Sequence, residues 1–247
     1  MLVKKNFLSL DLKQFEGKRV ASIFPHPDDE TMSAGGLLSS LAQLKETDVK
    51  ILSLTHGEKG DELLKLPERT LAKLRAGELR DAAEILGVDP SNVCLWDYPD
   101  GKLDEHQTQL EREIKQYIKD EAIDYVITYE RSGLYGHIDH VVASRVIANL
   151  AGHSGEGATQ TEGEFTPIYT TAPDSITKRM DLPLHISALG ENIVQAEPEF
   201  HLDLALASGL LRKYLAARAH KSQNLSRGRR FWYWPFFAGR EYFTTKY

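Results

Sequence analysis

Arg19-Val20-Ala21-Ser22-Ile23-Phe24-Pro25-His26-Pro27-Asp28-Asp29-Glu30 is the stretch that decides the fold. Its first six residues have the apolar content and length of a buried strand, Pro25 turns the chain, and the apolar spacing of Leu37, Leu38, Leu41 and Leu44 that follows is helical. Outward from this strand-loop-helix unit the alternation repeats. Val49 to Thr55 reads as a second strand and Glu68 to Leu86 as a helix stopped by Gly87. Val93 to Trp96 is a short third strand, Leu110 to Ile118 lies in a helix, and Tyr125 to Thr128 is a fourth strand. Such alternation predicts an α/β fold with a mostly parallel sheet and helices on both faces, in which ligands gather at the carboxyl ends of the strands.

Beyond this part the pattern thins. Ala151 to Glu164, rich in Gly, Ser and Thr, reads as a surface loop. Ile168 to Thr171 is expected to be a strand, Asp203 to Gln223 an amphipathic helix, and Arg227 to Tyr247 a basic, aromatic tail. No internal repeat or linker divides the chain, so residues 1–247 are expected to form one domain, with 151–247 its least marked part.

Composition narrows the function. The 247 residues carry 30 Lys and Arg against 36 Asp and Glu, a net charge of −6, and are 41% hydrophobic, which suits a soluble globular chain and excludes disorder. An acidic balance without a long basic run argues against nucleic-acid binding, which draws on Lys and Arg contacts to phosphate. No apolar run reaches the roughly 20 residues of a membrane helix, and Asp11, Lys13 and Glu16 interrupt the leader-like start, so a cytoplasmic location is expected and membrane contact is not. Cys94 is the single cysteine, which leaves His, Asp and Glu to hold any metal and makes Cys94 itself a small buried strand residue by expectation.

Two segments carry the chemistry. Pro25-His26-Pro27-Asp28-Asp29-Glu30 puts an imidazole and three carboxylates in one loop, and crowded carboxylates repel unless a cation offsets them. After the fourth strand comes Tyr135-Gly136-His137-Ile138-Asp139-His140, with two His residues three apart and therefore on one side of a helical turn. A catalytic zinc site needs three N or O ligands, an open position for water and a carboxylate to take the proton from it. The bland alternative makes His26 a turn residue and the acids helix-capping groups; both motifs at matching strand ends disfavour it.

These segments, with Gly35-Gly36, His56-Gly57-Glu58, Arg75 to Glu78, Tyr98-Pro99-Asp100 and His220-Lys221-Ser222-Gln223, resemble the LmbE-like (PIG-L) zinc-dependent N-deacetylases. The resemblance covers most of the first 150 residues and touches the last third thinly. It implies a Rossmann-like fold and removal of an acetyl group from an N-acetylglucosamine-type amino sugar or its conjugate, a small-molecule substrate. It also implies His26, Asp29 and His140 as Zn²⁺ ligands, Asp28 as general base, His137 as the cationic or hydrogen-bonding group that stabilises the oxyanion and helps protonate the leaving amine, and Tyr135 as its helper at the same oxygen. Ile138 stands where the family usually has Pro, a position that is neither ligand nor acid. The ligand set suits Fe²⁺ or Co²⁺ as well.

Several residues carry two readings each. Arg75 and Asp100 match positions that grip sugar hydroxyls in the family, or form a surface ion pair. Asp139 either orients a His or belongs to a buried salt bridge. His56 and Glu58 line the site or cap a loop, while His220 and Gln223, at a helix end, read as structural. His106, His153, His185 and His201 have no partner spacing. The aromatic tail packs on the core or meets a membrane, a glycan or a second subunit, and a homo-oligomer is compatible with the sequence. The competing functions are an amidase for a larger acyl group, a non-catalytic metal-retaining sugar binder, and a nucleotide-binding module, the last disfavoured by the lack of Gly-x-Gly-x-x-Gly after the first strand.

Overall fold

The computed structural model describes residues 7–60, 64–152, 165–173, 176, 194–204, 209–223 and 239–247. In chain order the strands are β1 (Leu8–Ser9), β2 (Arg19–Phe24), β3 (Asp48–Thr55), β4 (Val93–Tyr98), β5 (Tyr125–Tyr129), β6 (Thr166–Thr171), β7 (Phe200–Asp203) and β8 (Arg240–Thr244). The helices are α1 (Asp29–Leu41), α2 (Glu68–Leu86), α3 (Gln107–Asp120), a single distorted turn α4 (Gly133–Gly136), α5 (Ile138–Leu150) and α6 (Gly209–Ala219). All eight strands join one sheet in the order β1-β7-β8-β6-β5-β2-β3-β4.

Strand alternation builds the two cores. Along β2, Val20 and Phe24 enter one apolar cluster while Ala21 and Ile23 enter the other, as a period of two demands of a strand buried on both faces. The first cluster takes in Leu37, Leu38 and Leu41 of α1, Leu79, Ala83 and Leu86 of α2, and Ala216 of α6. The second takes in Leu110 and Ile114 of α3 and Val142, Val146 and Ile147 of α5. The α/β architecture expected from the sequence is therefore present, with helices on both faces.

Strand order reverses at β2, which pairs in parallel with β3 on one side and β5 on the other. The chain leaves these two neighbouring strands toward opposite faces, opening a crevice at their carboxyl ends. Both His-bearing loops start there.

Three expectations are corrected. The helix expected from Asp203 begins at Gly209 and ends at Ala219, because Phe200–Asp203 is claimed by strand pairing with β1 and β8. The tail from Arg227 is partly sheet: β8 lies antiparallel between β6 and β7. Cys94 is exposed, since β4 is an edge strand whose Val93 turns inward and sends its neighbour out. Residues 153–164 and the aromatic run Phe231 to Phe237 lie outside the described residues, as do His153 and His185. No helix among the described residues is long and apolar enough to cross a membrane.

Candidate metal centre

The loop after β2 enters α1 through Asp28, whose backbone has φ 125° and ψ −26°. A non-glycine residue there is strained by about 1–3 kcal/mol, and such strain persists only where surrounding contacts fix it. The loop after β5 is also unusual: Gly133 has φ 62°, and a Cβ on it would come within 2.5 Å of the His140 Cβ. Leu134 follows with φ 68°. Glu130, fully buried, accepts hydrogen bonds from Ser132 N–H at 3.0 Å and Leu134 N–H at 3.3 Å, which holds this turn against the start of α5.

The two loops bring three donor atoms together. His26 Nδ1 lies 3.3 Å from Asp29 Oδ2, Asp29 Oδ2 lies 3.4 Å from His140 Nε2, and His140 Nε2 lies 3.3 Å from His26 Nδ1. A tetrahedron with the ~2.0–2.1 Å bonds of zinc to N or O has edges of ~3.3–3.4 Å, so the triangle has the size of one face of such a site.

Each member has its other side occupied. His140 Nδ1 meets the Gly133 carbonyl at 3.1 Å, which fixes the tautomer that leaves Nε2 free as a donor to metal. Asp29 Oδ1 accepts from Tyr129 Oη at 2.8 Å, and that phenol ring stacks on His140 with centroids 4.3 Å apart. His26 Nε2 faces Asp139 Oδ2 at 3.2 Å and Asp100 Oδ1 at 3.1 Å. Asp139 is in turn held by Gly101 N–H at 2.7 Å and Leu103 N–H at 3.0 Å. Outer partners of this kind orient ligands, and the buried Asp139–His26 contact is at once an orienting hydrogen bond and an ion pair, so it fits both readings of Asp139.

The electrostatics are those of a place that wants positive charge. Burial alone would lower the His26 pKa, yet hydrogen bonds to Asp100, Asp139 and Asp29 carry it well above its ordinary value. Burial would raise Asp29, but His140 and His26 hold it far below the usual carboxylate range. Burial pushes His140 down to about 4, so it is neutral near pH 7. Asp100, against its burial, is held at about 2 by His26. Two further sets, His26 with His137 and His140, and His26 with Asp100 and Asp139, also have donor atoms within 4.8 Å of one another. A divalent cation fits this donor-rich cluster.

Asp28 is nearly buried and lies 3.4 Å from Arg75. Burial raises its pKa, Arg75 opposes that, and Asp29 adds to it, for a net upward shift. His137 caps α5: its Nδ1 accepts the Asp139 N–H at 3.2 Å, which leaves Nε2 to carry the proton. Burial and the neighbouring His26 lower its pKa. Tyr135, about a third exposed, has its Oη 3.5 Å from His140 Nε2.

The remaining sequence candidates fall around this centre. Arg75 is buried rather than a surface residue; it donates to the carbonyls of Pro27 and, at 2.7 Å, Gly57. Asp100 is buried too, its Oδ2 taking the Lys59 N–H at 2.9 Å. His56 pairs with Asp97 at 2.9 Å and Glu58 accepts the Asp100 N–H at 3.0 Å, both as loop ties. Gln223 donates to Gly60 O at 3.1 Å, and buried His220 pairs with Glu30 at 3.0 Å. His106 packs edge-on to Tyr98 and His201 pairs with Asp203. Sequence reasoning missed Tyr129; its signal was a polar aromatic one residue past the expected strand end.

Residues 21–151 match the family described as PIG-L: GlcNAc-PI de-N-acetylase. A 1D-myo-inositol 2-acetamido-2-deoxy-alpha-D-glucopyranoside deacetylase of Geodermatophilus obscurus is 27% identical, over 93% of this chain and 90% of that protein. The match to the protein of the same name in Corynebacterium glutamicum strain R is 29% identical over 55% of this chain, and spans about half (53%) of that relative's length. Among solved structures, N,N'-diacetylchitobiose deacetylase from Pyrococcus horikoshii superposes with a TM-score of 0.66 at 19% identity, covering 95% of this chain and 86% of that one. The 4-carboxy-2-hydroxymuconate hydratase GalB of Pseudomonas putida KT2440 shares the fold at TM-score 0.61 and 17% identity, covering 92% and 95%. The fold alone therefore does not choose the reaction.

Proposed function

The chain belongs to the PIG-L family of GlcNAc-PI de-N-acetylases, and from that membership we propose that it is a metal-dependent hydrolase removing the acetyl group from the nitrogen of an N-acetylglucosamine-type amino sugar or its conjugate. The observation that carries this reading is the triangle of His26 Nδ1, Asp29 Oδ2 and His140 Nε2, with edges of 3.3, 3.4 and 3.3 Å, beside a carboxylate that is not part of it. His26, Asp29 and His140 would hold Zn²⁺, or Fe²⁺ or Co²⁺. The bound cation supplies the Lewis acidity that makes water nucleophilic near neutral pH and polarises the amide carbonyl.

The chain's own groups do the rest. Asp28, its pKa raised by burial, takes a proton from the attacking water at a carboxylate oxygen and returns it to the departing nitrogen, the work of a general base and acid. His137 donates from Nε2 toward the carbonyl oxygen as negative charge develops there, a contribution of a few kcal/mol for one well-placed donor. The neutral imidazole is the form its Asp139 N–H contact favours, in place of a cation. Tyr135 Oη, close to His140 and partly exposed, donates to the same oxygen. Arg75 holds the loop and Asp100 holds His26, and in this reading both also grip sugar hydroxyls.

Equilibrium dialysis of the purified chain against Zn²⁺ tests the ligand set directly. One ion per chain for the wild type and less than a tenth of an ion for Asp29→Ala at the same free zinc, about a tenfold loss or more, is the expected result. Stoichiometric zinc in Asp29→Ala would remove Asp29 from the set.

A further inference from the structure

Behind the centre lies a buried acid-imidazole pair that the reaction does not use. Glu30 is 1% exposed and His220 is fully buried. Glu30 Oε1 takes Thr31 Oγ1 at 2.5 Å and His220 Nε2 at 3.0 Å, while Glu30 Oε2 accepts the backbone N–H of Asp28 at 2.9 Å. His220 follows the end of α6, 190 residues away in sequence, and its Nδ1 has no hydrogen-bond partner among the described residues.

We propose that the Glu30–His220 pair is a positioning device that holds Asp28 in its strained conformation, so that the last third of the chain sets the aim of the general base. This rests on the deacetylase reading, in which Asp28 is that base. The chain of causes is short. At φ 125° the Asp28 N–H donates to the buried Glu30 carboxylate, and in that buried setting an unsatisfied donor would be costly. A buried carboxylate is itself stable only with a partner, and His220 with Thr31 provides it. Without His220, the Glu30 carboxylate has lost its buried partner and turns away, the Asp28 N–H loses its acceptor, and Asp28 relaxes to negative φ. That swing redirects its side chain, and a displacement of about 1 Å at a catalytic group costs on the order of 100-fold.

The test compares His220→Met, which keeps bulk and removes the donor, with His220→Gln, which keeps an N–H in its place. Three quantities are read: kcat and KM for amine release, cobalt(II) content by visible absorption, and the Asp28 φ in crystal structures. His220→Met is expected to lose about 100-fold in kcat at unchanged KM, to bind cobalt as the wild type does, and to show Asp28 at negative φ. His220→Gln is expected to recover kcat to within about tenfold of wild type. Wild-type kcat per cobalt-loaded molecule in His220→Met, or Asp28 still near φ 125° in its structure, would overturn the proposal. Should His220→Met not fold, Thr31→Val removes the other donor to Glu30 Oε1 and is expected to lower kcat about tenfold; wild-type kcat there overturns it equally. If the wild type itself releases no amine, the deacetylase reading fails, and the Asp28 φ in the variants still decides whether the pair positions it.

Discussion

The parallel half of the sheet and the half that contains β7 and β8 contribute in different ways. Every donor of the candidate centre comes from the loops leaving β2 and β5, from the first turns of the helices they enter, or from the connection after β4. Among the described residues the other half supplies none of them, yet it is tied beneath the same loops. His220 meets Glu30, Ser222 donates its N–H and hydroxyl to Glu78 at 2.8 and 2.6 Å, and Gln223 reaches Gly60. Lys213 and Glu241 form a fully buried ion pair at 2.6 Å, and Glu241 also accepts the N–H groups of Gly36 and Leu37 in α1. The donor cluster sits at the switch point of the parallel strands, and the antiparallel addition braces the helix that carries Asp29.

That division predicts where damage shows. The largest loss is expected for His140→Ala, which removes a corner of the donor triangle: zinc binding and turnover should both fall well beyond the roughly 100-fold typical of changes outside the ligand set, as measured by dialysis and by amine release. Asp28→Asn comes next. It should keep the metal and lose about 10²–10⁴-fold in kcat, the usual worth of a general base.

The parallel half was legible because its signals are local. A β2 run of six residues, a proline turn and three carboxylates can be read without knowing any partner strand. The bracing half depends on long-range pairing. Phe200–Asp203 is four residues with two polar side chains, and Arg240–Thr244 becomes a strand only by lying between β6 and β7, so neither has a pattern that identifies it alone. The same limit hid Tyr129, whose hydrogen bond to Asp29 joins strands' ends 100 residues apart. It also hid the exposure of Cys94, which follows from β4 being at the sheet edge.

A change confined to the bracing half should reverse the pattern, costing stability first. Lys213→Met leaves Glu241 buried without its cation and is expected to lower unfolding free energy by about 3–5 kcal/mol in urea titration, while zinc content per folded molecule stays at the wild-type level. Loss of zinc without loss of stability would erase the distinction between the halves. The smallest effect concerns pH at the far edge of the same region. Burial would raise the Glu199 pKa, but hydrogen bonds from Lys246, Thr245 and Thr244 hold it at about 2. The unfolded value is about 4.3, so Glu199 contributes stability above that pH and loses it as pH falls toward about 2. The difference in urea midpoint between wild type and Glu199→Gln should therefore shrink across that window, and a gap that widens there would reverse the sign.

The central claim is amide hydrolysis by a metal centre with Asp28 as its base. The most direct measurement is free-amine release from a panel of N-acetylglucosamine conjugates by zinc-loaded protein, chelated protein and zinc-loaded Asp28→Asn in parallel. Release by the first alone, with the chelated and Asp28→Asn samples at least about 100-fold slower, is the predicted result. No release from any conjugate by protein carrying one zinc per chain, or release at equal rate by Asp28→Asn, would contradict it.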